Sequence, residues 1–126
     1  MNYFIASCSF GKDSLAMILR LIEENYPIDE VMFFDTGMEF KAIYGVRDKL
    51  LPILKENNIK YTELKPEHTF EYYMFEIPLK KKHNIGKKGY SWCGGCCRWG
   101  TTFKTNETNK HIANLRKNYN VIEYVG

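Results

Sequence analysis

Two hydrophobic periodicities alternate along this chain, and the alternation constrains its fold more than any other feature. Short runs rich in aromatic and β-branched residues predict strands at Asn2–Ser7, Glu30–Asp35, Lys60–Lys65 and Asn120–Val125. Apolar residues at helical spacing predict helices at about 15–24, 40–57, 70–75 and 108–118. Pro52 is expected to kink or split the second helix. Strands separated by helices predict a single doubly wound, three-layer α/β/α domain over residues 1–126, with a mainly parallel sheet.

The composition excludes several classes of protein. No apolar run reaches the roughly 18 residues of a membrane-spanning helix, and the apolar start lacks the basic lead of a signal peptide. We therefore expect a cytoplasmic protein with no membrane partner, whose four cysteines are thiols, metal ligands or redox groups rather than disulfides. The net charge is only +3, but residues 77–106 carry seven Lys or Arg and no Asp or Glu. This stretch is interpreted as a basic, Cys/Trp-rich insertion in the domain.

A polar loop at residues 7–14, "SCSFGKDS", joins the first strand to the first helix. The start of a helix attracts anions through its unpaired N–H groups and its dipole, and Gly11 lets a phosphate approach the backbone. Ser9 and Ser14 add hydroxyl groups and Lys12 adds a full charge, so the loop predicts a phosphate cradle. It departs from the Walker pattern, because no glycine stands five positions before Gly11 and Asp13 follows the lysine. An ordinary turn with serine as a helix cap is the alternative.

This loop resembles the PP-loop of the adenine nucleotide α-hydrolase superfamily, usually S-G-G-K-D-S, with Phe10 in place of the first glycine. After the second predicted strand, Asp35-Thr36-Gly37 resembles the D-T-G motif of the phosphoadenosine phosphosulfate (PAPS) reductase family. The resemblance implies a PP-loop or HUP-like fold in which Asp35 accepts from ribose hydroxyls or, with Asp13, holds Mg²⁺. A turn followed by a helix-capping Thr36 is the alternative. The nucleotide-binding residues would be Ser7, Ser9, Phe10, Gly11, Lys12, Asp13, Ser14, Asp35, Thr36 and Gly37.

A third segment, Trp92 to Lys104, resembles the family's Arg-Trp-Cys-Thr…Leu-Lys segment. The resemblance implies that its basic residues face the phosphate or sulfate end of the substrate, Arg98 as a bidentate oxyanion contact and Lys104 as a point charge. Together with Lys12, these are the predicted catalytic residues. Family members generally continue past the strand that corresponds to Val121–Val125, and the reductases carry their catalytic cysteine there. We therefore expect a short form without that thiol, unless a cysteine of the third segment replaces it.

The cysteines of this segment, Cys93, Cys96 and Cys97, have the C-x-x-C spacing of a zinc or iron–sulfur site. Candidates for a fourth ligand are Cys8, His83 and His111, although Cys8 is most simply a core residue. A redox dithiol and unreactive thiols in a Trp-rich pocket are the alternatives. The lysines of 80–88 are interpreted as a lid over a nucleotide, as a solvated loop or as a contact with nucleic acid. Among the aromatic residues, Tyr72, Tyr73 and Phe75 are expected in the core.

These motifs predict a protein that binds an adenine nucleotide (PAPS, APS or ATP) and acts at its activated sulfate or α-phosphate. Two enzyme classes compete: a PAPS reductase-like oxidoreductase of sulfur metabolism, served by a protein thiol donor, and an ATP pyrophosphatase that adenylates an acceptor. The alternative is a non-catalytic nucleotide-binding sensor, sequestering protein or inhibitor that acts through a macromolecular partner. The final strand is expected at or near an exposed sheet edge, which would suit homo-oligomerisation or pairing with a partner.

Overall fold

A four-stranded parallel sheet forms the centre of the molecule in the computed structural model, which describes residues 1–80, 83, 85–90 and 103–126. The strands are β1 (Asn2–Ser7), β2 (Glu30–Phe34), β3 (Lys60–Leu64) and β4 (Asn120–Val125), in the spatial order β3-β2-β1-β4. All five residues of β2 are buried, as expected for a central strand of a parallel sheet. The parallel sheet predicted from the sequence is confirmed, and β4 is an edge strand of the sheet that the structure describes.

Helices cover both faces of the sheet. The first face is packed by α1 (Lys12–Glu23) and α2 (Lys41–Glu56), and the second by α3 (Phe103–Arg116). On the first face, Ile18, Leu50 and Leu54 contact the sheet residues Val31 and Phe33. On the second face, Ile112 packs against Ile5 and Met32. The predicted three-layer α/β/α architecture is therefore observed. No helix in the described part of the chain is long and apolar enough to cross a membrane.

Three helical predictions need correction. Helix α2 continues through Pro52, so the predicted split is wrong; Pro52 is exposed, on the solvent side of the helix. Helix α3 begins five residues before its predicted start, because the polar run from Phe103 has too little apolar periodicity to indicate a helix. The predicted short helix near 70–75 is present, and it has a π-helical form at Tyr72–Glu76. It buries Tyr73, but Phe75 is 65% exposed, so the prediction of Phe75 as a core residue is wrong.

Helix α2 is followed by an asparagine with a left-handed backbone conformation. Asn58 has φ 56°, and the N–H of Ile59 donates to the carbonyl of Leu54 over 2.9 Å. This six-residue closure satisfies a carbonyl of the last helical turn. The chain can therefore turn directly from α2 into β3.

The two ends of the lysine-rich segment, residues 77–79 and 87–89, form backbone hydrogen bonds with each other. Leu79 N–H donates to the carbonyl of Lys87 over 3.1 Å, and Gly89 N–H donates to that of Ile77 over 2.8 Å. Gly89 has φ +77°, and a Cβ built on it would lie 2.1 Å from the carbonyl oxygen of Met74. Only glycine fits at this position, where the segment crosses the π-helical turn.

A carboxylate is buried at the start of β2, on the face that α3 covers. Glu30 is fully buried, and its Oε2 lies 2.6 Å from Nε2 of His111 on α3. Tyr3 donates its hydroxyl to Oε1 over 3.3 Å, and Nζ of Lys60 lies 3.5 Å from the same atom. A buried carboxylate with these partners ties α3 to the first residues of three strands.

Candidate functional site

Two cavities open at the carboxyl edge of the sheet, and two consecutive residues at the end of β2 line one cavity each. The smaller, about 340 Å³, is lined by Phe34, and the larger, about 580 Å³, by the next residue, Asp35. The smaller cavity also lies between the ends of β1 and β4, where the strand order reverses direction. Ligands of doubly wound proteins bind at this switch point.

The loop after β1 forms one wall of the smaller cavity. Ser7, Ser9 and Ser14 all line it. The Ser14 hydroxyl accepts from the N–H of Ser9 over 3.2 Å, lies 3.2 Å from the hydroxyl of Ser9 and donates to the carbonyl of Gly11 over 3.3 Å. These bonds fold the loop back onto the first turn of α1. The sequence places three hydroxyl groups there, and the fold brings all three to one surface.

The start of α1 has no side-chain cap. Gly11 occupies the N-cap position, and no described side chain accepts from the first-turn N–H groups. The alternative interpretation of the loop, a turn capped by serine, is therefore not what the structure shows. Uncapped N–H groups at a helix start carry partial positive charge and suit an anion. Lys12 and Asp13 lie on this turn with exposed side chains and line neither cavity.

Phe10 does not present its side chain to either cavity. It is 2% exposed, and its ring packs edge-on against Phe33 with centroids 4.7 Å apart and lies 6.3 Å from the ring of Tyr61. Its backbone φ is 58°, the left-handed region that favours glycine. Phe10 stands where the usual PP-loop motif has its first glycine; it adopts a backbone conformation that glycine takes easily, and its ring adds a core contact. Only the backbone of Phe10 remains as a candidate ligand contact.

Cys8 belongs to the same loop; it is buried in the core, as the sequence predicts, and it is also one of the residues that line the smaller cavity. Its sulfur accepts from the N–H of Phe10 over 3.3 Å and lies 3.8 Å from the hydroxyl of Ser14. Burial raises the pKa of its thiol above the ordinary value, which outweighs the opposing effect of these two hydrogen bonds. The thiol is therefore a weak nucleophile at neutral pH.

Lys104 lies on the first turn of α3 and lines the smaller cavity together with Thr108 and Asn109. A carboxylate, Glu123 of β4, lines it too and is paired with Arg116 at 3.1 Å. The fold thus brings Lys104 to the same cavity as the serine hydroxyls from the other end of the chain. The other residues predicted in the third segment, Arg98, Cys93, Cys96 and Cys97, lie outside the described residues.

The loop after β2 holds its carboxylate in a fixed orientation. Asp35 is 8% exposed, and its Oδ1 accepts from the N–H of Gly37 over 2.8 Å and from the hydroxyl of Tyr44 over 2.7 Å. The Thr36 hydroxyl accepts from the N–H of Met38 and donates to Glu39. Thr36 does not cap α2, which begins at Lys41 with Phe40 at its N-cap. The alternative interpretation of this motif as a helix cap is therefore wrong.

Sequence reasoning missed the wall of the larger cavity and the residue that holds Asp35. Tyr44 falls in the apolar periodicity that predicts the second helix, and nothing in that pattern indicates that its phenol reaches the preceding loop. The far wall of the larger cavity follows β3, where no motif is visible. Its lining residues are Asp35, Thr36, Gly37, Lys65, Pro66, Glu67, His68, Thr69, Phe70, Glu71, Tyr72 and Glu76.

Metal ligation has no candidate in the described part of the chain, where no group of three His, Cys, Asp or Glu side chains is close enough to hold an ion. Of the three residues considered as a fourth ligand, His111 contacts Glu30, Cys8 is buried, and His83 is exposed. The predicted sulfur ligands lie among the residues that are not described, so this prediction stays a prediction.

The chain is similar to one known protein family and to several known proteins. The phosphoadenosine phosphosulfate reductase domain matches residues 3–122. An uncharacterized protein of Methanocaldococcus jannaschii is 35% identical over 100 residues, which are 77% of this chain and 21% of that protein. An adenosine 5′-phosphosulfate reductase of Staphylococcus epidermidis is 34% identical over 70 residues, 56% of this chain and 28% of that protein. The matched regions are thus between a fifth and a third of these relatives' lengths. No solved structure matches significantly.

Proposed function

The chain belongs to the phosphoadenosine phosphosulfate reductase domain family, and from this premise we propose that it binds an adenine nucleotide and acts at an activated sulfate or an α-phosphate. The observation that supports the proposal is the pair of cavities at the carboxyl edge of the sheet, one lined by Phe34 and the other by Asp35. One has hydroxyl groups, a lysine and a helix start, which suit an anion. The other has a buried carboxylate, which suits ribose hydroxyls.

The anionic end of the nucleotide occupies the smaller cavity in this proposal. Ser9 and Ser14 donate to its oxygens, the N–H groups at the start of α1 add partial positive charge, and Lys104 adds a full charge. Lys12 lines neither cavity, but its exposed side chain adds a positive charge at the same helix start. Arg98 completes the set if it has the role that the family motif implies. Their shared task is to stabilise negative charge that develops on the leaving phosphate.

The reaction itself depends on a thiol. Sulfonyl transfer from an adenylyl sulfate to a thiolate breaks the bond between sulfur and the bridging oxygen, releases AMP or its 3′-phosphate, and leaves a thiosulfonate that a second thiol reduces to sulfite and a disulfide. Cys8 is unsuited to this attack, because it is buried and its thiol pKa is raised. The nucleophile would be a cysteine of 93–97 or a protein thiol donor. With ATP, the corresponding attack at the α-phosphate releases pyrophosphate.

Binding without turnover is the second candidate function, and the burial of Cys8 is the observation that favours it. The two are separated by incubating the protein with adenylyl sulfate and a thiol reductant, or with ATP, and analysing the products. Sulfite with AMP supports the reductase reaction, and pyrophosphate with AMP supports ATP cleavage. Saturable binding with no product from either nucleotide supports the non-catalytic function.

The site is tested by calorimetric titration of ATP and adenylyl sulfate into the wild type and three lysine variants. Removing one charge-assisted contact to a phosphate costs about 10-fold in Kd. Lys104→Ala should weaken binding by about that factor, and Lys12→Ala by a smaller one, because Lys12 acts from the helix start and does not line the cavity. Lys49→Ala removes an exposed charge from α2, away from both cavities, and should leave Kd unchanged. Equal affinities in all four proteins would refute the assignment of the site.

A further inference from the structure

We infer that Asp35, held in place by Tyr44, makes the site selective for nucleotides whose ribose hydroxyls are free and against nucleotides that carry a 3′-phosphate. This inference rests on the proposed function and adds a choice of substrate class to it. Adenylyl sulfate, ATP and AMP belong to the favoured class. PAPS and adenosine 3′,5′-bisphosphate belong to the excluded class.

The first support is the orientation of the Asp35 carboxylate. Both of its described donors, the N–H of Gly37 and the hydroxyl of Tyr44, bond to the same oxygen, Oδ1. No described residue donates to Oδ2, and Asp35 is itself one of the residues that line the larger cavity. An ionised carboxylate only accepts hydrogen bonds, so Oδ2 can pair with a hydroxyl but not with a phosphate oxygen.

The second support is that Tyr44 is itself held. The guanidinium of Arg47 lies over its ring, 5.0 Å from the centroid, and donates to Glu63 over 2.9 Å. Tyr61 also donates to Glu63, over 3.0 Å. These contacts fix the phenol from behind, so its hydroxyl stays directed at Asp35. Tyr44 is therefore a positioning residue, and its hydrogen bond to Asp35 raises its own pKa above the ordinary value.

The third support is the charge of the cavity that Asp35 faces. Three glutamates line it in addition to Asp35, and Lys65 is the one Lys or Arg among the described lining residues. A 3′-phosphate carries close to two negative charges at neutral pH and would enter this negative field. A free hydroxyl enters it without that repulsion and donates to Oδ2. The glutamates are Glu67, Glu71 and Glu76.

The test uses AMP and adenosine 3′,5′-bisphosphate, which differ only in the 3′-phosphate. Calorimetric titration of the wild type should give an affinity for AMP at least about tenfold higher, since an unpaired carboxylate facing a phosphate loses a charge-assisted hydrogen bond and gains repulsion. Asp35→Asn keeps the shape of the side chain and supplies a donor, so it should reduce this ratio. Glu71→Gln, at an exposed residue, should reduce it by a smaller factor.

The role of Tyr44 is tested with a second ligand pair, AMP and 3′-deoxyadenosine 5′-phosphate. Loss of the 3′-hydroxyl should weaken binding to the wild type about 5- to 10-fold and binding to Tyr44→Phe about 2-fold, because the variant no longer holds Asp35 in position. The matched control, Tyr26→Phe, removes an exposed phenol and should behave as the wild type. If Tyr44 has only a structural role, Tyr44→Phe should lose affinity for both ligands by the same factor. That result would overturn the assignment of Tyr44 as a positioning residue. Equal wild-type affinity for AMP and the bisphosphate overturns the selectivity while nucleotide binding stands; binding of neither overturns both proposals.

Discussion

At Phe10, the usual order of stability of alanine and glycine variants should be reversed. Alanine normally stabilises a chain relative to glycine, because glycine loses more backbone entropy on folding. Phe10 has φ 58° and a side chain that is 2% exposed. At this backbone angle the Cβ of alanine is strained, whereas glycine is not. We therefore predict that Phe10→Gly is more stable than Phe10→Ala, and that both are less stable than the wild type.

The magnitudes follow from two separable terms. Removing a buried phenylalanine side chain costs about 3–5 kcal/mol in unfolding free energy, and both variants lose the ring contacts with Phe33 and Tyr61. A left-handed residue with a Cβ costs about 1–2 kcal/mol, a penalty that only the glycine variant escapes. Glycine loses about 0.5–1 kcal/mol of this advantage through backbone entropy. The glycine variant should therefore be more stable than the alanine variant by about 1 kcal/mol.

The assay is urea denaturation followed by circular dichroism, with the slopes of the transitions compared to confirm that the same surface is exposed. Ala16→Gly on the exposed face of α1 serves as the control and should show the ordinary order, with glycine less stable by about 1 kcal/mol. If Phe10→Ala is as stable as Phe10→Gly or more so, the left-handed backbone of the loop would be refuted. If both variants match the wild type, the core role of the ring is refuted instead.

Three further predictions concern positions outside the cavities. Asn58→Gly should raise the unfolding free energy by up to about 1 kcal/mol in the same urea assay, because glycine adopts the left-handed turn after α2 more easily, and a loss of stability would contradict this. Gly89→Ala should lower the melting temperature by several degrees, since its Cβ would overlap the carbonyl of Met74; an unchanged melting temperature would show that the crossing can open. Burial and the neighbouring Glu30 raise the pKa of Tyr3 to about 12, so the folded state keeps its proton where the unfolded state loses it. Its contribution is complete below about pH 10 and should be lost as the pH rises toward 12, so Tyr3→Phe should show a shallower alkaline loss of stability in urea titrations at pH 9 to 12.

The strands could be predicted from the sequence because their signal is local. β1 and β4 have the bounds that their aromatic and β-branched runs predict, and the turn residues that flank them are visible in the chain. The start of α3 could not be predicted, because its first residues are polar and have low helical propensity. At the helix start the ring of Phe103 stacks on that of Tyr73 with centroids 4.3 Å apart, which is a tertiary contact that the local sequence does not reveal.

In the candidate site, too, residues with a local sequence signal could be predicted, and residues whose role depends on tertiary contacts could not. The loop after β1 and Asp35 were found because small, polar residues at the end of a predicted strand are themselves the signal. Phe10 was placed among the ligand contacts because it occupies a motif position, and the structure places its ring in the core instead. Tyr44 and the wall after β3 were missed, because their roles depend on contacts that no spacing in the sequence reveals. Arg98 stays a prediction.

The contact between Glu30 and His111 fixes helix α3 at one point and so affects the position of Lys104 on the same helix. The helix is pinned at His111, near the amino end of the strands, while Lys104 lies seven residues earlier, about 10 Å along the axis, at the opposite edge. Because the helix is rigid, a small tilt about the contact at His111 displaces Lys104. Substitutions at Glu30 should therefore alter the position of Lys104 in the smaller cavity, although Glu30 does not line that cavity. A search for variants that reshape the cavity can therefore begin at the opposite edge of the sheet.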